Sequence, residues 1–180
     1  IYSKMPPKND AGSKAVIYMK VRGGKPVAPG ALAPKVGPLG MSPKMVGDRI
    51  TASTGDFKGI RCVVKITVQN RVAEVKVLPT ASTLIVKALN EPVNPGHKKG
   101  DPIYHDGDIS FEDVIEVAKA IRWKSLSRTM TGTVKEVLGS CVSIGCTVNG
   151  EDARDVQEKI DDGEIEIEDY EGVAPESSED

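Results

Sequence analysis

The sequence predicts an α+β protein of two small domains, an N-terminal β-α-β-β-α unit with a three-stranded antiparallel sheet and a C-terminal three-helix bundle. Three observations support this prediction. Apolar and polar residues alternate in three β-branched runs before residue 79, which is typical of strands with one buried face. Apolar residues recur at helical spacing after residue 110. Between these regions, residues 90–108 contain six Pro and Gly residues, which indicates a linker.

Three strands and two helices make up the first domain, which is predicted to span residues 15–89 after a flexible arm over residues 1–14. The second and third strands are close enough in sequence to form a hairpin. Ser42-Pro43 and Thr80 are expected to start the two helices, the first as an N-cap followed by Pro and the second as an N-cap. The predicted strands are 15–22, 61–70 and 71–78, and the predicted helices run from 43 to about 53 and from 81 to about 89.

The segment Ala31–Gly40 (ALAPKVGPLG) combines two Pro and two Gly with three large apolar residues. Pro fixes φ and removes a backbone donor, whereas Gly permits conformations that other residues forbid. We therefore expect a short, stiff surface segment, with little room to bury Leu32, Val36 and Leu39, on which a partner binds. Gly37–Gly40 also fits the Gly-x-x-Gly loop of K-homology RNA-binding domains, but Pro38 lacks the backbone donor that a phosphate-binding loop needs.

Three helices are predicted for the second domain, which spans residues 109–168. Ser110 and Asp113 resemble a capping box at the start of the first helix, with Asp in place of the usual Glu. A short strand is expected at Thr147–Val148, and Ile165 and Ile167, which alternate with acidic residues, could form a last edge strand. The helices are predicted to start at 110 and to span 133–144 and 153–160, and residues 169–180 are predicted to form a disordered acidic tail.

Charge divides unevenly along the chain, although the net charge is only −2. Residues 1–150 hold 22 Lys and Arg against 12 Asp and Glu, a balance of +10, and residues 151–180 hold 2 against 14, a balance of −12. A basic body favours a polyanionic partner over an ordinary solvated surface.

No run of about 18 apolar residues is present, so no segment is expected to span a membrane. Three Cys without paired spacing indicate reduced thiols in a cytosolic setting.

The sequence lacks the motifs of the common catalytic sites. It contains no Walker A pattern, no Gly-x-Gly-x-x-Gly and no nucleophile elbow. His97 and His105 lie in the predicted linker without a nearby Cys pair, which argues against a zinc site. We therefore expect no enzyme activity, no cofactor and no bound metal.

The predicted helix 133–144 places Gly139, Ser140 and Ser143 on its polar side, opposite an apolar stripe. Gly in a helix interior costs roughly 1 kcal/mol relative to Ala, so something is expected to offset it. The alternatives are close packing against another helix and close approach of a nucleic-acid backbone. The polar surroundings of Gly139 favour the nucleic acid, whose phosphate or 2′-OH groups the two Ser would bind.

The loop before this helix, residues 122–133, is basic, rich in hydroxyl groups and contains Gly132. It is either an ordinary polar loop or part of a groove for RNA, and the flanking Lys119 and Lys135 favour the groove. Trp123 would either stack on a base or cover the end of a helix. The basic and hydroxyl-bearing candidates of this region are Arg122, Lys124, Ser125, Arg128 and Lys135.

Four stretches resemble the large-subunit ribosomal protein family that is called L-eleven in bacteria and L-twelve in eukaryotes. They are ALAPKVGPLGMSPK from Ala31, GDFKGIRCVVKITVQN from Gly55, PTASTLIVKAL from Pro79 and SLSRTMTGTVKEVLGSCVSIGC from Ser125. The likeness is to the eukaryotic and archaeal branch and covers about 16–163. In the bacterial family a Pro-Pro pair precedes Val-Gly-Pro, where this chain has Pro34-Lys35, and the acidic extension 164–180 is unlike the usual short end.

The resemblance implies a C-terminal three-helix RNA-binding bundle that binds the GTPase-associated centre of large-subunit rRNA at the stalk base. It implies an N-terminal domain that faces rRNA loops and translational GTPases, and it implies no catalysis. The implied partners are large-subunit rRNA, an acidic ribosomal protein of the stalk base and, transiently, elongation-factor GTPases, in the cytosol and without DNA or membrane. An RNA-binding regulatory protein outside the ribosome is the alternative. By position, the implied rRNA contacts add Thr131, Gly132, Thr133, Gly139, Ser140, Ser143 and Gly145, and the factor-facing residues are Pro34, Lys35, Val36, Gly37, Pro38, Leu39 and Gly40.

Overall fold

The computed structural model of the chain describes residues 14–70, 72–91 and 105–170. The chain divides into two compact units, Ile1–Leu78 (unit 1) and Pro79–Asp180 (unit 2). The predicted arm up to residue 13, residues 92–104 of the predicted linker with His97, and residues 171–180 of the predicted tail lie outside the described residues.

Unit 1 is built on a three-stranded antiparallel sheet in the order β1-β2-β3, as predicted. Strand β2 lies in the centre, with Val64 opposite Met19 of β1 and Ile66 opposite Val75 of β3. The hairpin between β2 and β3 turns at Asn70, whose φ of 50° is one that Asn adopts more readily than most residues. The strands are β1 (Ala15–Arg22), β2 (Arg61–Gln69) and β3 (Val72–Leu78).

Two helices, α1 (Pro29–Val36) and α2 (Pro43–Ser53), cover one face of this sheet and complete its core. Helix α2 ends where predicted, although the side chain of its N-cap residue, Ser42, makes no capping hydrogen bond. Val46 and Ile50 of α2 are completely buried, and each such side chain stabilises the fold by about 1.5–3 kcal/mol relative to exposure.

The Pro/Gly segment 31–40 corrects one prediction. Its first part is the helix α1, followed by a 3-10 turn at Gly37–Leu39. Leu32 and Val36 are four residues apart on one face of α1, and both are completely buried in the core of unit 1. The prediction that these side chains lack room to be buried is therefore wrong, because helical geometry turns them together towards the sheet.

The described part of unit 2 contains four α-helices, of which the last three are the predicted bundle. Ser110 caps α4 as predicted by accepting a 3.1 Å hydrogen bond from the amide of Asp113. The Asp113 carboxylate accepts from the Ser110 hydroxyl at 2.7 Å and not from the Ser110 amide, as a full capping box would have it. Helix α5 begins three residues earlier than predicted. The helices are α3 (Ala81–Ala88), α4 (Phe111–Ile121), α5 (Met130–Ile144) and α6 (Ala153–Asp161).

Helix α3 packs in the core of unit 2, whereas the sequence assigns it to the first domain. Thr80 caps it as expected, accepting a hydrogen bond from the amide of Thr83 at 3.3 Å. Ile85 is completely buried in the cluster formed by α4, α5 and α6. The division between the two units therefore falls after Leu78 and not after Leu89.

A two-stranded parallel sheet joins the start of α4 to the end of α5. Strand β4 (Asp108–Ile109) pairs with the predicted strand β5 (Thr147–Val148). Ile165 and Ile167 do not form the expected edge strand. They pack against the core of unit 2 as half-buried side chains without pairing to a described strand.

Most of the charge asymmetry follows the boundary between the units. Unit 1 holds 14 Lys and Arg against 4 Asp and Glu, a balance of +10, and unit 2 holds 10 against 22, a balance of −12. Within unit 2, residues 79–150 are balanced at 8 against 8. The basic excess of the body is therefore a property of unit 1.

In the described parts of the chain, no helix is long and apolar enough to cross a membrane.

Candidate nucleic-acid interface

Helix α5 has one buried and one exposed side. Its buried side includes Val134, Val137, Leu138 and Cys141, which lie in the core of unit 2. Its other side carries the glycine and the two serines that the sequence singles out, and they occupy consecutive turns as the spacing predicts.

The hydroxyl groups of this exposed side donate to the helix itself. Ser140 Oγ donates to the carbonyl oxygen of Glu136 at 3.1 Å, and Ser143 Oγ donates to that of Ser140 at 2.8 Å. Each hydroxyl oxygen therefore keeps lone pairs that can accept a hydrogen bond, for example from a ribose 2′-OH.

Gly139 is exposed and has space around it. A Cβ built on Gly139 would meet only the side-chain nitrogen of Gln157, at 3.9 Å, which is ordinary van der Waals contact. Close packing against a neighbouring helix therefore does not explain the glycine.

Two other glycines of the predicted RNA-binding set have structural reasons. A Cβ on Gly132 would lie 2.7 Å from Ser127 Cβ, which is too close. Gly145 ends α5 with a φ of 97°, and its amide donates to the carbonyl oxygen of Cys141 at 2.8 Å. Both are therefore required by the fold of unit 2, whether or not RNA contacts them.

The loop between α4 and α5 is held by a network of three hydroxyl groups, those of Ser125, Ser127 and Thr133. Their oxygens lie 2.8–3.1 Å from one another. Ser125 also donates to the carboxylate of Glu136 at 2.9 Å. Thr133 is completely buried, so its side chain cannot contact RNA directly in this conformation. Its role is to fix the shape of the loop.

Three of the predicted RNA-binding cations have partners within unit 2. Arg122 donates to the carbonyl oxygens of Ser127 and Arg128 at 2.9 and 2.8 Å. Lys124 donates to the carbonyl oxygen of Pro79 at 3.1 Å, and Lys135 forms an ion pair with Asp161. Arg122 therefore stabilises the loop by binding its backbone carbonyl groups.

Two exposed side chains of the loop remain available to a partner. Arg128 is exposed, and its side chain has no hydrogen bond or ion pair with any of the described residues. Leu126 is 97% exposed, more than any other large apolar side chain of the described residues. The sequence reasoning missed Leu126. The signal that could have found it is an apolar residue alone among the serines of a polar loop.

The described end of the chain lies beside the start of α5, which corrects the prediction of a disordered tail from residue 169. The Asp169 carboxylate accepts a hydrogen bond from the amide of Met130 at 3.0 Å. The carbonyl oxygen of Tyr170 accepts one from Arg122 Nε at 3.3 Å, and the Lys119 ammonium lies 5.8 Å from the centre of the Tyr170 ring. An acidic side chain thus occupies the N-terminus of the helix, where a negative charge is favourable.

The predicted factor-facing segment is mostly exposed in unit 1. Leu39 is half-buried and Val36 is completely buried, so Val36 cannot present its side chain to a partner. A Cβ on Gly37 or Gly40 would meet no atom within 4 Å, and Gly40 has a φ of 71°. The exposed members are Pro34, Lys35, Gly37, Pro38 and Gly40.

The remaining predicted candidates, Thr131 and Trp123, are half-buried. Among residues 14–70, 72–91 and 105–170, no group of three or more His, Cys, Asp or Glu is placed to hold a metal ion.

The chain matches two family models along its length. Residues 17–73 match "Ribosomal protein L11, N-terminal domain", and residues 77–148 match "Ribosomal protein L11, RNA binding domain". The second match begins before α3, in agreement with the packing of that helix in unit 2.

Curated relatives resemble the chain over nearly their whole length. The Schizosaccharomyces pombe "Large ribosomal subunit protein uL11A" is 50% identical over 163 residues, which are 91% of this chain and 98% of the relative. The Arabidopsis thaliana "Large ribosomal subunit protein uL11x" is 51% identical over 164 residues, again 91% of this chain and 98% of the relative.

Proposed function

Because this chain belongs to the ribosomal protein L11 family, we propose that it binds the GTPase-associated centre of the large-subunit rRNA at the stalk base and positions translational GTPases there. Membership of the family shows the general role: the protein is a structural, RNA-binding constituent of the large ribosomal subunit and not an enzyme.

The observation that carries the RNA-binding proposal is the open space at Gly139. An α-helix that presents a glycine and two serines lets a folded RNA backbone approach the helix axis more closely than side chains would allow. The adjacent loop adds Leu126, for an apolar contact with a base or ribose, and Arg128, for a phosphate. We therefore place the rRNA on the exposed side of α5 and on the loop 125–129.

The equal numbers of acidic and basic side chains in residues 79–150 favour recognition of the RNA by its shape. Residues 79–150 carry as many acidic as basic side chains, and three of the candidate cations are engaged within unit 2. Net charge therefore contributes less to the affinity of unit 2 for RNA than the balance of +10 over residues 1–150 suggests. Affinity would come from fitting a folded RNA surface, with Arg128 as the main phosphate contact.

Unit 1 would supply the contact to the GTPases. Its exposed Pro34, Lys35 and Pro38 lie on α1 and the following turn, which the buried Leu32 and Val36 fix to the core of unit 1. A rigid, largely uncharged segment of this kind suits a contact that forms and breaks with each elongation factor. We also propose an acidic ribosomal protein of the stalk base as a neighbour, and the cytosol as the location.

Binding of the full-length protein to a transcript of the GTPase-associated centre tests the RNA assignment, with hydroxyl-radical footprinting to identify the protected nucleotides. We expect protection in that element and co-sedimentation with large subunits in high salt. Loss of the protein from the subunits at high salt, with retained binding to other RNAs, would instead support an RNA-binding regulator outside the ribosome.

Ribosomes that lack the protein, supplemented with the purified chain or its Pro38→Ala variant, test the role towards the GTPases. We expect the variant to assemble normally and to slow factor-dependent GTP hydrolysis. Failed assembly with normal hydrolysis in the residual ribosomes would contradict a factor-facing role.

A further inference from the structure

A groove with a volume of about 500 Å³ lies in unit 1 between strand β1 and helix α1. Its walls carry four exposed cations, Lys20, Arg22, Lys25 and Lys35, and no carboxylate. It lies outside the surface assigned to rRNA in unit 2.

The cations of the groove lack acidic partners in the described part of the chain. Lys20, Arg22 and Lys25 form no ion pair there, and Lys35 donates only to the carbonyl oxygen of Tyr18, at 3.5 Å. The described carboxylates of unit 1 belong to Asp48, Asp56 and Glu74, and none of them lines the groove. Unpaired like charges in a concave site attract an anionic ligand.

The backbone beside the groove is the edge of the sheet. Among the described strands, β1 pairs only with β2, over all eight of its residues, and on its other edge the carbonyl oxygen of Tyr18 accepts a hydrogen bond from Lys35, which an added strand would replace. Eight extended residues span about 26 Å, enough for a peptide of similar length. An added strand would bind through its main chain, and its side chains would provide specificity.

The floor of the groove is aliphatic. Met19 and Val21 are buried, Val27 is half-buried, and Pro26 and Ala31 are exposed at its margin. The lining contains no aromatic ring on which a base could stack and no hydroxyl group to bind a 2′-OH. An apolar floor beneath cationic walls therefore fits a peptide better than an RNA strand.

We propose that this groove binds an extended acidic peptide segment of a partner protein, in which carboxylates alternate with aliphatic residues. Side chains of an extended chain point alternately to opposite faces. The aliphatic residues would contact Met19, Val27 and Ala31, and the carboxylates would reach Lys20 and Arg22, which alternate with Met19 and Val21 along β1, and Lys25 in the loop that follows. The interaction is a property of unit 1 and does not depend on rRNA binding by unit 2.

Fluorescence anisotropy with the full-length protein tests the proposal. The probes are a labelled octapeptide of alternating Glu and Val, the same peptide with Gln in place of Glu, and an eight-nucleotide oligouridylate. We expect salt-dependent binding of the acidic peptide and at least tenfold weaker binding of the Gln peptide. If the oligouridylate binds in the groove and the acidic peptide does not, the groove is an RNA site and the proposal is wrong.

Matched variants locate the binding. Lys25→Glu is expected to raise the peptide Kd about fivefold, since it removes one attraction and adds one repulsion of surface-pair size. Lys44→Glu makes the same charge change at an exposed site on α2 away from the groove, and we expect less than a twofold effect. If both variants raise the peptide Kd equally, the peptide is attracted non-specifically and the proposal is wrong. The cations would then serve to prevent the edge strand β1 from pairing with other chains.

A second variant tests the groove without changing charge. Ala31 is exposed on α1 at the groove, so Ala31→Trp would fill the space without disturbing the core. We expect it to weaken peptide binding at least tenfold with an unchanged circular dichroism spectrum and unchanged rRNA affinity. Normal peptide binding by this variant would exclude the groove as the site.

Discussion

The side-chain nitrogen of Gln157 lies 3.9 Å from the position that a Cβ would take on Gly139, and it also donates to the carbonyl oxygen of Lys135 at 2.9 Å. Gln157 of α6 thus holds the start of α5 while leaving the middle of α5 uncovered. The fold therefore has room for a Cβ at position 139, and packing within the described structure does not require a glycine there.

We predict that Gly139→Ala leaves unit 2 folded and stabilises it by up to about 1 kcal/mol, because Ala is the better helix former. The same variant is expected to bind the rRNA element at least tenfold more weakly, since the Cβ keeps the RNA backbone away. Denaturant unfolding and filter binding measure the two effects. Unchanged RNA affinity would remove α5 from the interface.

Gly145→Ala is the matched control. With a φ of 97° and a Cβ position 3.2 Å from the carbonyl oxygen of His105, this change is expected to destabilise unit 2 by about 1 kcal/mol or more. The two substitutions add the same methyl group, one within α5 and one at the C-cap that ends it, so opposite effects on stability separate the structural glycine from the functional one.

We predict that Leu126→Ser reduces rRNA affinity several-fold without changing the unfolding midpoint, because a side chain that is 97% exposed contributes little to the core. Val72→Ser, at a Val that is 58% exposed in unit 1, is the control for removing an exposed apolar side chain. A similar loss of affinity with both variants would count against a specific contact by Leu126.

Arg128→Gln is expected to weaken rRNA binding and to reduce the slope of log K against log salt by about one, as for the loss of one phosphate contact. Its stability should not change, since the Arg128 side chain has no described partner. A titration of affinity against KCl distinguishes this result from a general weakening with an unaltered slope.

The Asp108 carboxylate joins β4 to the turn after β5, and its contribution to the stability of unit 2 is expected to depend on pH. It accepts hydrogen bonds from the amide of Gly150 and the hydroxyl of Thr147, both at 2.7 Å, and these lower its pKa from 3.8. The stabilisation is therefore present above pH 3.8 and is lost as the pH falls through the lower folded value.

Asp108→Asn is thus expected to lower the unfolding midpoint at neutral pH, with a difference from the unmodified protein that shrinks below pH 3.8. The neighbouring Asp106→Asn removes the same charge at an exposed carboxyl for which the described residues provide no hydrogen bond, and as the control it should leave the unfolding midpoint at neutral pH unchanged. A constant difference across the pH range would mean that the charge of Asp108 is not the stabilising feature.

The three cysteines are buried free thiols, and we predict that native protein resists thiol reagents. Burial, together with the neighbouring Cys146, raises the pKa of Cys141 to about 12, and burial also raises the pKa of Cys62 and of Cys146. Since the thiolate is the reactive form, all three should react slowly with a disulfide reagent at pH 8 and rapidly in denaturant. A thiol that reacts in the native protein at the free-cysteine rate would contradict this.

Features that depend on neighbouring residues could be predicted from the sequence. The alternation in Ala15–Arg22 and the cap residues Thr80 and Ser110 gave the correct strand and helix starts, because strand faces and N-caps are set within a few residues. The polar side of α5 was likewise visible from helical spacing alone.

The sequence by itself determined the three strands of the sheet, most of the helices, the presence of two domains and the family, since each depends on local periodicity or on ordered motifs. Only the tertiary structure decided that Leu32 and Val36 are buried, that α3 packs in unit 2, and which residues of the interface are available to a partner. Arg122 and Arg128 look equivalent in sequence, yet one stabilises the loop and the other is exposed. The physical reason is that burial and hydrogen-bond partners come from contacts between residues far apart in the chain, which no short-range pattern encodes.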